Sequence, residues 1–364
     1  MAILSVKWKS IIKGSALGTY LRHKRWNRWL LSESKINKAI AFYAADVSEE
    51  EKAVLKADII AMARKYRFSA DEYFYYHFPE KSEEERKTFI SDLNRVHICE
   101  KLNQPKNQGY FDDKLESVKM FGKYYRRDIC GVRSNRDLTA FREFLKKQPR
   151  FIVKPLTGTC GQGIQILQVQ AGKEEQLIRE LLDAYCGGAK DGFIAEELVV
   201  QTPEMAQFHP SSLNTIRVAT VKFPDGPEVI AAFFRTGRGG NIVDNAGAGG
   251  VFGTIDIDTG MIDAVGDEYG NNYTTHPDTD IPMVGFTIPK WEEAVTMVKE
   301  LAEVVEGNRY AGWDLALTEK GWVMIEGNAR GQFVWQIPRQ KGFLAETNEI
   351  LKRLGVAPLK KLSM

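Results

Sequence analysis

The 364-residue chain has few cysteines, no long apolar run and almost no net charge. Its cysteines lie about thirty residues apart without a Cys-x-x-Cys pair, so zinc and disulfide frameworks are not expected and a reducing cytoplasm fits. These cysteines are Cys99, Cys130, Cys160 and Cys186. No apolar run approaches the ~20 residues of a membrane span, and no signal peptide is recognised. A net charge of +2 gives no global field for nucleic acid.

Charge is nevertheless uneven at the N-terminus. Residues 1–40 hold nine Lys or Arg against one acid, Glu33, and tryptophans and leucines are interleaved with them. Such a segment can be a helix on an anionic membrane surface, which would give the chain a peripheral membrane or envelope-biosynthesis partner. It can equally be an amphipathic helix packed on the main body, which we favour.

Residues 35–100 are predicted to be helical. Ser48-Glu-Glu-Glu51 is a capping-box start, and an apolar stripe follows through Val54, Ile59, Met62 and Ala63. The aromatic run 73–78 is interpreted as core rather than as a stacking platform. Gln104–Gly109 is a polar break and marks a candidate domain boundary.

The segment 311–330 reads as two strands, 312–318 and 322–328, joined by a three-residue loop that ends at Gly321. If Thr318 pairs with Trp322, Asp314 lies opposite Glu326. The period of two then puts Asn328 on the same face as Glu326. Opposed carboxylates destabilise a strand pair, so the pair needs a reason. Two carboxylates and an amide oxygen suit Mg²⁺ that takes further ligands from a phosphate, although a solvated hairpin face is the alternative.

A second segment, 151–167, reads as strand, glycine-rich loop and strand. Its glycines let backbone N–H groups approach an anion. Lys154 lies mid-strand between apolar neighbours, where an ammonium needs a negative partner. The loop is neither a Walker loop nor a Rossmann turn, because no Gly-Lys-Ser/Thr follows and it runs into a strand. Together the loop, the lysine and the acidic hairpin predict a nucleotide and a metal.

Three further stretches, 194–204, 209–220 and 243–251, complete a recognisable order of motifs. Over roughly residues 115–335 the chain resembles ATP-grasp proteins, most closely the sugar-transfer-associated ATP-grasp branch. The resemblance implies an α+β ATP-grasp fold, in which two α+β subdomains clasp ATP, behind a helical N-terminal domain. The domains expected are 1–110, 111–200 and 201–364. ATP is implied together with two Mg²⁺ ions, for which Mn²⁺ can substitute.

The resemblance also implies roles for individual residues. Lys154 and Lys119 would reach the phosphates, with Lys114 or Lys123 as alternatives to Lys119. The remaining nucleotide contacts would come from Gly158, Thr159, Gly161, Gly163, the hinge Glu196, Glu197, Leu198 and Val199, and the ribose-binding Glu204. Arg217, Arg235 and Arg330 would act on the transferred phosphate. Asp314, Glu326 and Asn328 would hold the metal.

The activity implied is that of an ADP-forming carboxylate–amine ligase acting through an acyl phosphate, with small-molecule carboxylate and amine substrates. No Ser-His-Asp or Cys-His arrangement is found in the sequence, and this mechanism needs no side-chain nucleophile. Two alternatives stay open: a small-molecule kinase on the same fold, and a nucleotide-binding module without turnover.

Overall fold

The structure is a computed structural model that describes residues 24–158, 161–187, 190–244, 247 and 249–359. It divides into two compact units. The first comprises the described residues up to His97 together with those from Gln340 onward, and the second is Ile98–Arg339. The predicted domain 201–364 is therefore shared between the two units in this division. None of the helices in these described ranges is both long and apolar enough to cross a membrane.

The helices that the structure defines alternate with strands from residue 129 onward. They are α1 (Glu33–Tyr43), α2 (Glu49–Tyr66), α3 (Ala70–Tyr75), α4 (Glu83–Arg86), α5 (Asp92–Leu102), α6 (Gly109–Asp112), α7 (Lys114–Tyr125), α8 (Leu138–Lys147), α9 (Glu174–Tyr185), α10 (Pro203–Ala206), α11 (Trp291–Val304), α12 (Gln336–Arg339) and α13 (Leu344–Arg353). Short 3₁₀ helices occupy Phe78–Glu80, Pro105–Asn107 and Asn135–Asp137.

The first unit is helical, as predicted. Helix α2 begins with the predicted capping box: the Ser48 side chain accepts the backbone N–H of Glu51, and the Glu51 side chain accepts that of Ser48. Ile59, Met62 and Ala63 are buried as expected, but Val54 is 69% exposed and does not belong to the buried stripe. Five residues before Ile59, Val54 lies about 140° around the helix axis from it and therefore faces away from the core.

The aromatic run forms core. Tyr73, Tyr76 and Phe78 are buried, and Phe78 meets Phe68 edge to face with ring centroids 4.8 Å apart. Edge-to-face contacts of this kind contribute about 0.5–1.5 kcal/mol beyond burial. This unit therefore relies on aromatic packing for much of its stability.

Most of the basic segment 1–40 lies outside the described residues, which begin at Lys24. In its described part, Leu30 and Ile36 are buried within the first unit, whereas Trp29 is 42% exposed. The choice between membrane contact and packing for the whole segment stays a prediction.

The second unit carries two larger antiparallel sheets and a two-stranded ribbon. The strands are β1 (Ile129–Val132), β2 (Arg150–Pro155), β3 (Gln165–Gln168), β4 (Cys186–Gly187), β5 (Lys190–Asp191), β6 (Phe193–Glu197), β7 (Thr215–Phe223), β8 (Gly226–Thr236), β9 (Val251–Ile255), β10 (Ile262–Asp267), β11 (Asn272–Tyr273), β12 (Tyr310–Thr318) and β13 (Gly321–Asn328). The orders are β1-β6-β2-β3 and β11-β10-β9-β8-β7-β12-β13, and β4 pairs with β5.

Helices α8 and α9 supply the apolar core of the four-stranded sheet. Phe141, Phe144 and Leu145 follow the i, i+3, i+4 spacing of a buried helix face, and they join Phe151 and Phe193 of the sheet in one cluster. Full burial of such a side chain is worth about 1.5–3 kcal/mol. This packing fixes the sheet from which Lys154 and Glu196 project.

Helix α11 covers one face of the seven-stranded sheet. Two buried tryptophans lie in that core with their N–H groups satisfied: Trp313 Nε1 donates to Thr220 Oγ1 at 2.9 Å, and Trp322 Nε1 donates to the Lys290 carbonyl at 2.9 Å. Both tryptophans belong to the predicted acidic hairpin, so its strands are held rigidly against the core.

The hairpin has the predicted carboxylate pairing but a different turn. Thr318 pairs with Gly321 rather than with Trp322, so the loop has two residues. Gly321 is the first residue of strand β13 and has a positive φ of 96°. A bulge between Asp314 and Leu315 then shifts the register by one residue. Asp314 consequently still pairs with Glu326.

Candidate active site

A cavity of about 320 Å³ lies in the second unit and brings together the acidic hairpin, the glycine loop and the strand lysine. Its polar lining comprises Lys114, Ser117, Tyr125, Lys154, Gln162, Glu196, Thr215, Arg217, Arg235, Asp244, Asp314, Glu326, Asn328, Arg330 and Gln332. One cavity thus brings together residues from segments that are far apart in the sequence.

The apolar lining of the cavity comes from both larger sheets and from the glycine loop. Ile152 and Ile194 come from the four-stranded sheet, Ile164 and Ile166 from the glycine loop and its second strand, and Ile325 from the hairpin. Apolar side chains suit a planar ring, whereas the charged lining suits phosphates. The cavity therefore offers contacts for an aromatic group as well as for anions.

Lys154 meets its negative partner in Glu196. Lys154 Nζ lies 3.0 Å from Glu196 Oε1, and both side chains are buried. Burial alone would raise the pKa of Glu196, but Lys154 and Arg127 outweigh it and lower the pKa to about 2. The side chain of Glu196 is therefore a buried anion that holds the lysine in place.

The second cavity lysine is Lys114. Helix α7 begins there, capped by the Asp113 side chain, and Lys114 Nζ donates to the Gly158 carbonyl at 3.3 Å. Burial lowers the pKa of Lys114; Glu326 raises it and the nearby Lys154 lowers it further. An ammonium that faces another ammonium in a cavity is well placed for a polyanion.

The structure does not place Lys119 in the cavity. Its side chain is 61% exposed and pairs with Glu116 one turn earlier on α7. The helix period explains the difference, because positions 114, 117, 118, 121 and 125 share the inward face, whereas Lys119 shares the outer face with Glu116. The cavity position expected for Lys119 belongs to Lys114.

Asp314 is buried between two arginines. Arg217 forms a two-pronged ion pair with it, Nε to Oδ1 at 2.5 Å and Nη2 to Oδ2 at 2.6 Å, and Arg235 Nη2 adds a bond to Oδ2 at 2.8 Å. Burial alone would raise the pKa of Asp314, but the two guanidinium groups hold it below its ordinary value. Conversely, Asp314 outweighs burial and raises the pKa of Arg217.

Arg235 also contacts the loop that follows β8. Its Nε donates to Thr215 Oγ1 at 3.0 Å, and Thr215 in turn donates to the carboxylate of Asp244. Asp244 and its neighbours Ile242 and Val243 line the cavity. Arg235 is thus linked through Thr215 to the loop that follows β8, part of which lies outside the described residues.

Glu326 and Asn328 face the cavity with unsatisfied polar groups. Glu326 has no hydrogen bond or ion pair to any described residue, and burial and Asp314 raise the pKa of its carboxyl group. The side-chain nitrogen of Asn328 is buried without a hydrogen-bond partner. The bulge makes both Ile325 and Glu326 line the cavity, although they are successive residues of one strand.

These residues fit a divalent cation. Glu326 supplies a free carboxylate, the Asn328 amide can turn its oxygen inward, and Asp314 Oδ1 accepts one hydrogen bond and retains a lone pair. In the described ranges no three Asp, Glu, His or Cys side chains form a metal-binding group. Two carboxylates and one amide match Mg²⁺ that completes its shell with phosphate oxygens and water.

The glycine loop contributes two of its three glycines to the cavity. Gly158 and Gly161 line it and have φ of 134° and 72°, which a side chain would disfavour. Gly163 has a different role. Tyr185 Oη donates to its carbonyl at 2.8 Å, and a Cβ built there would contact the Pro155 ring at 3.4 Å. Thr159 lies outside the described residues.

Of the predicted hinge residues, Glu196 lines the cavity and the three that follow it do not. Glu197 accepts the Asp128 N–H at 3.0 Å, and neither it nor Leu198 and Val199 belongs to the cavity lining. Glu204 is exposed on the short helix α10. Their nucleotide roles stay predictions, as does the role of Arg330, which lines the rim and lies 3.8 Å from Glu100.

Sequence reasoning overlooked Arg127 and ranked Lys114 below Lys119. The apolar positions Val118, Phe121 and Tyr125 carry a periodic signal that points to Lys114. No comparable signal exists for Arg127, because two of the groups it contacts are backbone carbonyls, one of them on a distant strand.

Comparison with known proteins gives weak likenesses to solved structures. An ATP-grasp ligase, PsnB, complexed with minimal precursor is 14% identical over 64% of this chain and 56% of its own, with a TM-score of 0.36. N5-carboxyaminoimidazole synthetase from Staphylococcus aureus, complexed with ADP, is 12% identical over 68% of this chain and 52% of its own, with a TM-score of 0.40. D-alanyl-alanine synthetase A from Vibrio cholerae is 9% identical over 70% and 63%, with a TM-score of 0.41.

The chain thus spans less than two thirds of the length of each of these proteins. A search among curated proteins finds no match. The family comparison is stronger, because the model described as sugar-transfer associated ATP-grasp matches residues 94–352, which include every residue of the cavity. The chain belongs to the sugar-transfer associated ATP-grasp family.

Proposed function

We propose that the chain is an ADP-forming ligase that joins a carboxylate to an amine through an acyl phosphate. The observation that carries the proposal is that one cavity gathers a lysine pair, a set of oxygen ligands for a cation, and the arginines Arg217 and Arg235. These are the three kinds of group that phosphoryl transfer from ATP to an anionic acceptor needs.

The lysine pair supports ATP as the substrate. Lys114 and Lys154 project from a helix and a strand toward the glycine loop. Asp314, Glu326 and Asn328 would hold Mg²⁺, which neutralises phosphate charge when bound. The apolar walls around Ile152 and Ile325 would take the adenine ring.

The arginines support a carboxylate as the acceptor. In the reaction proposed, a carboxylate oxygen of the substrate attacks the γ-phosphorus of ATP, the bond to the β,γ-bridging oxygen breaks, and ADP leaves. The nitrogen of a neutral amine then attacks the acyl carbon, inorganic phosphate leaves, and the nitrogen loses a proton. Arg217 and Arg235 line the cavity at the hairpin end and can hold these anions by paired hydrogen bonds.

One observation favours a second candidate, a kinase that phosphorylates a hydroxyl. Glu326 is an unpartnered carboxylate whose pKa is raised by burial and by Asp314, which are properties of a general base. A hydroxyl acceptor needs such a base, whereas a carboxylate acceptor does not.

Hydroxylamine trapping tests the choice. Candidate carboxylates, such as amino acids and sugar acids, are incubated with the protein, ATP, Mg²⁺ and hydroxylamine. The ligase predicts ADP and a hydroxamate in equal amounts, because hydroxylamine intercepts the acyl phosphate. ADP with a stable phosphorylated product and no hydroxamate would establish the kinase, and nucleotide binding without ADP formation across the panel would leave a binding module.

A further inference from the structure

Arg127 is a buried arginine that the proposed reaction does not use. Its side chain is 4% exposed. Nε and Nη2 donate to Glu196 Oε2 at 2.9 and 2.5 Å, and Nη1 donates to the carbonyls of Tyr125 and Met324 at 3.1 and 2.6 Å. A single guanidinium thus joins the end of helix α7, strand β6 and strand β13.

One end of this connection reaches the phosphate side of the cavity. Glu196 accepts from Arg127 through Oε2 and contacts Lys154 through Oε1 at 3.0 Å. Without Arg127, the buried carboxylate would have Lys154 as its one remaining cationic partner among the described residues. Lys154 would then be drawn toward Glu196 and be less available to a phosphate.

The other end reaches the cation side. Met324 directly precedes Ile325, the residue at the bulge, and the bulge is what sets Glu326 opposite Asp314. A hydrogen bond to the Met324 carbonyl therefore fixes the backbone at the point where the strand register changes. In a hairpin with a two-residue loop and no bulge, Asp314 would face Ile325 instead.

Burying a guanidinium is costly, and an apolar side chain of similar size often stabilises a fold as well or better. The planar fork matters here because one group must satisfy a carboxylate and two carbonyls at once. A lysine carries its charge at one atom and cannot span these acceptors.

We propose that Arg127 is a positioning residue, which keeps Lys154 and the Glu326 side of the cation site in register with each other. This inference rests on the nucleotide and cation site of the proposed function.

The test is calorimetric titration with ADP, with and without Mg²⁺. Arg127→Met should raise the ADP dissociation constant in the presence of Mg²⁺ by about 10- to 100-fold, the usual effect of removing a residue that orients a metal ligand. Arg127→Lys retains a charge beside Glu196 but cannot also reach Met324. It should keep near-wild-type affinity for ADP alone and lose most of the increase in ADP affinity that Mg²⁺ provides.

Arg142→Met is the matched control. Arg142 also donates through Nε and Nη2 to a glutamate, Glu175, at 2.7 and 3.0 Å, but both side chains are exposed and neither lines the cavity. This variant should bind ADP and Mg²⁺ as the wild-type protein does.

A double-mutant comparison separates positioning from a general structural effect. In a Lys154→Met background, adding Arg127→Met should change the affinity for ADP alone by less than about twofold, because the effects of coupled residues are not additive.

An equal loss of ADP affinity in both backgrounds would overturn the inference, and so would an Arg127→Met variant with wild-type affinities. If Arg127→Met does not fold, the Arg127→Lys variant decides. An Arg127→Lys variant in which Mg²⁺ still increases the affinity for ADP as in the wild type would overturn the inference. Wild-type protein that fails to bind ADP would refute the proposed function itself.

Discussion

The two lysines of helix α7 allow a matched test of the nucleotide site. Lys114 and Lys119 lie five residues apart on one helix, yet one lines the cavity and the other is 61% exposed beside Glu116. Replacing each by Met removes the same charge and keeps a similar side-chain length. We expect Lys114→Met to weaken ADP binding and Lys119→Met to leave it unchanged.

The magnitude follows from the environment of each lysine. A charge-assisted hydrogen bond to phosphate contributes about 1.5–3 kcal/mol, so Lys114→Met should raise the ADP dissociation constant by roughly 10- to 150-fold. An exposed i,i+3 pair contributes about 0.3–0.5 kcal/mol, and none of it acts on the nucleotide, so Lys119→Met should change the constant by less than about twofold.

Stability gives an independent readout of the same substitution. The charged form of Lys114 is disfavoured in the cavity, because burial and Lys154 lower its pKa by more than Glu326 raises it. Lys114→Met should therefore not lower the thermal midpoint of the protein without nucleotide, while it reduces the stabilisation that ADP provides. Calorimetry and thermal unfolding check both effects. Equal dissociation constants for Lys114→Met and the wild type, or a larger loss in Lys119→Met, would refute the placement of the phosphate-binding lysine.

Three further predictions concern the carboxylates. Glu326→Gln should leave ADP binding without metal intact and remove most of the increase in ADP affinity that Mg²⁺ provides. An undiminished increase would show that Glu326 is not a metal ligand. Because the pKa of Glu326 is raised, protonation should weaken the Mg²⁺ gain as pH falls, and at a higher pH than for an ordinary glutamate; a gain that does not vary with pH would contradict this. Glu196 has a folded pKa of about 2 against an ordinary 4.5, so it contributes about 3 kcal/mol of stability above pH 4.5 that is lost as pH falls toward 2. Urea unfolding of Glu196→Gln should show a correspondingly smaller acid dependence than Glu197→Gln, and the same acid dependence in both would exclude the effect.

The acidic hairpin shows how much of a strand pair can be predicted from alternating side chains and a turn residue. The strands and the opposition of Asp314 and Glu326 follow from alternation and from the turn glycine. The predicted loop was one residue too long, and the bulge at Ile325 compensates for the difference. A bulge places two residues of one strand opposite one residue of its partner and leaves no clear mark in this sequence. The shorter loop and the bulge each shift the register by one residue in opposite directions, so the predicted pairing of Asp314 with Glu326 is retained.

The contacts of the arginine pair and of the buried glutamate could not be predicted from the alternation of side chains along single strands. Arg217 is predicted to contact phosphate, and in the structure it forms an ion pair with Asp314 on the neighbouring strand. Glu196 is predicted to be a hinge residue that contacts the nucleotide, and in the structure its side chain is the negative partner that Lys154 requires. Both contacts depend on which strands are neighbours, and β2 with β6 and β7 with β12 are far apart in sequence.

Isotope transfer would test the central claim, that the cavity joins a carboxylate to an amine through an acyl phosphate. A carboxylate that supports ADP release is labelled with ¹⁸O at both carboxyl oxygens and incubated with ATP, Mg²⁺ and an amine. The mechanism moves one carboxyl oxygen to phosphorus, so mass spectrometry should find one ¹⁸O atom in each inorganic phosphate released. Inorganic phosphate without ¹⁸O, formed together with ADP, would contradict the acyl-phosphate mechanism.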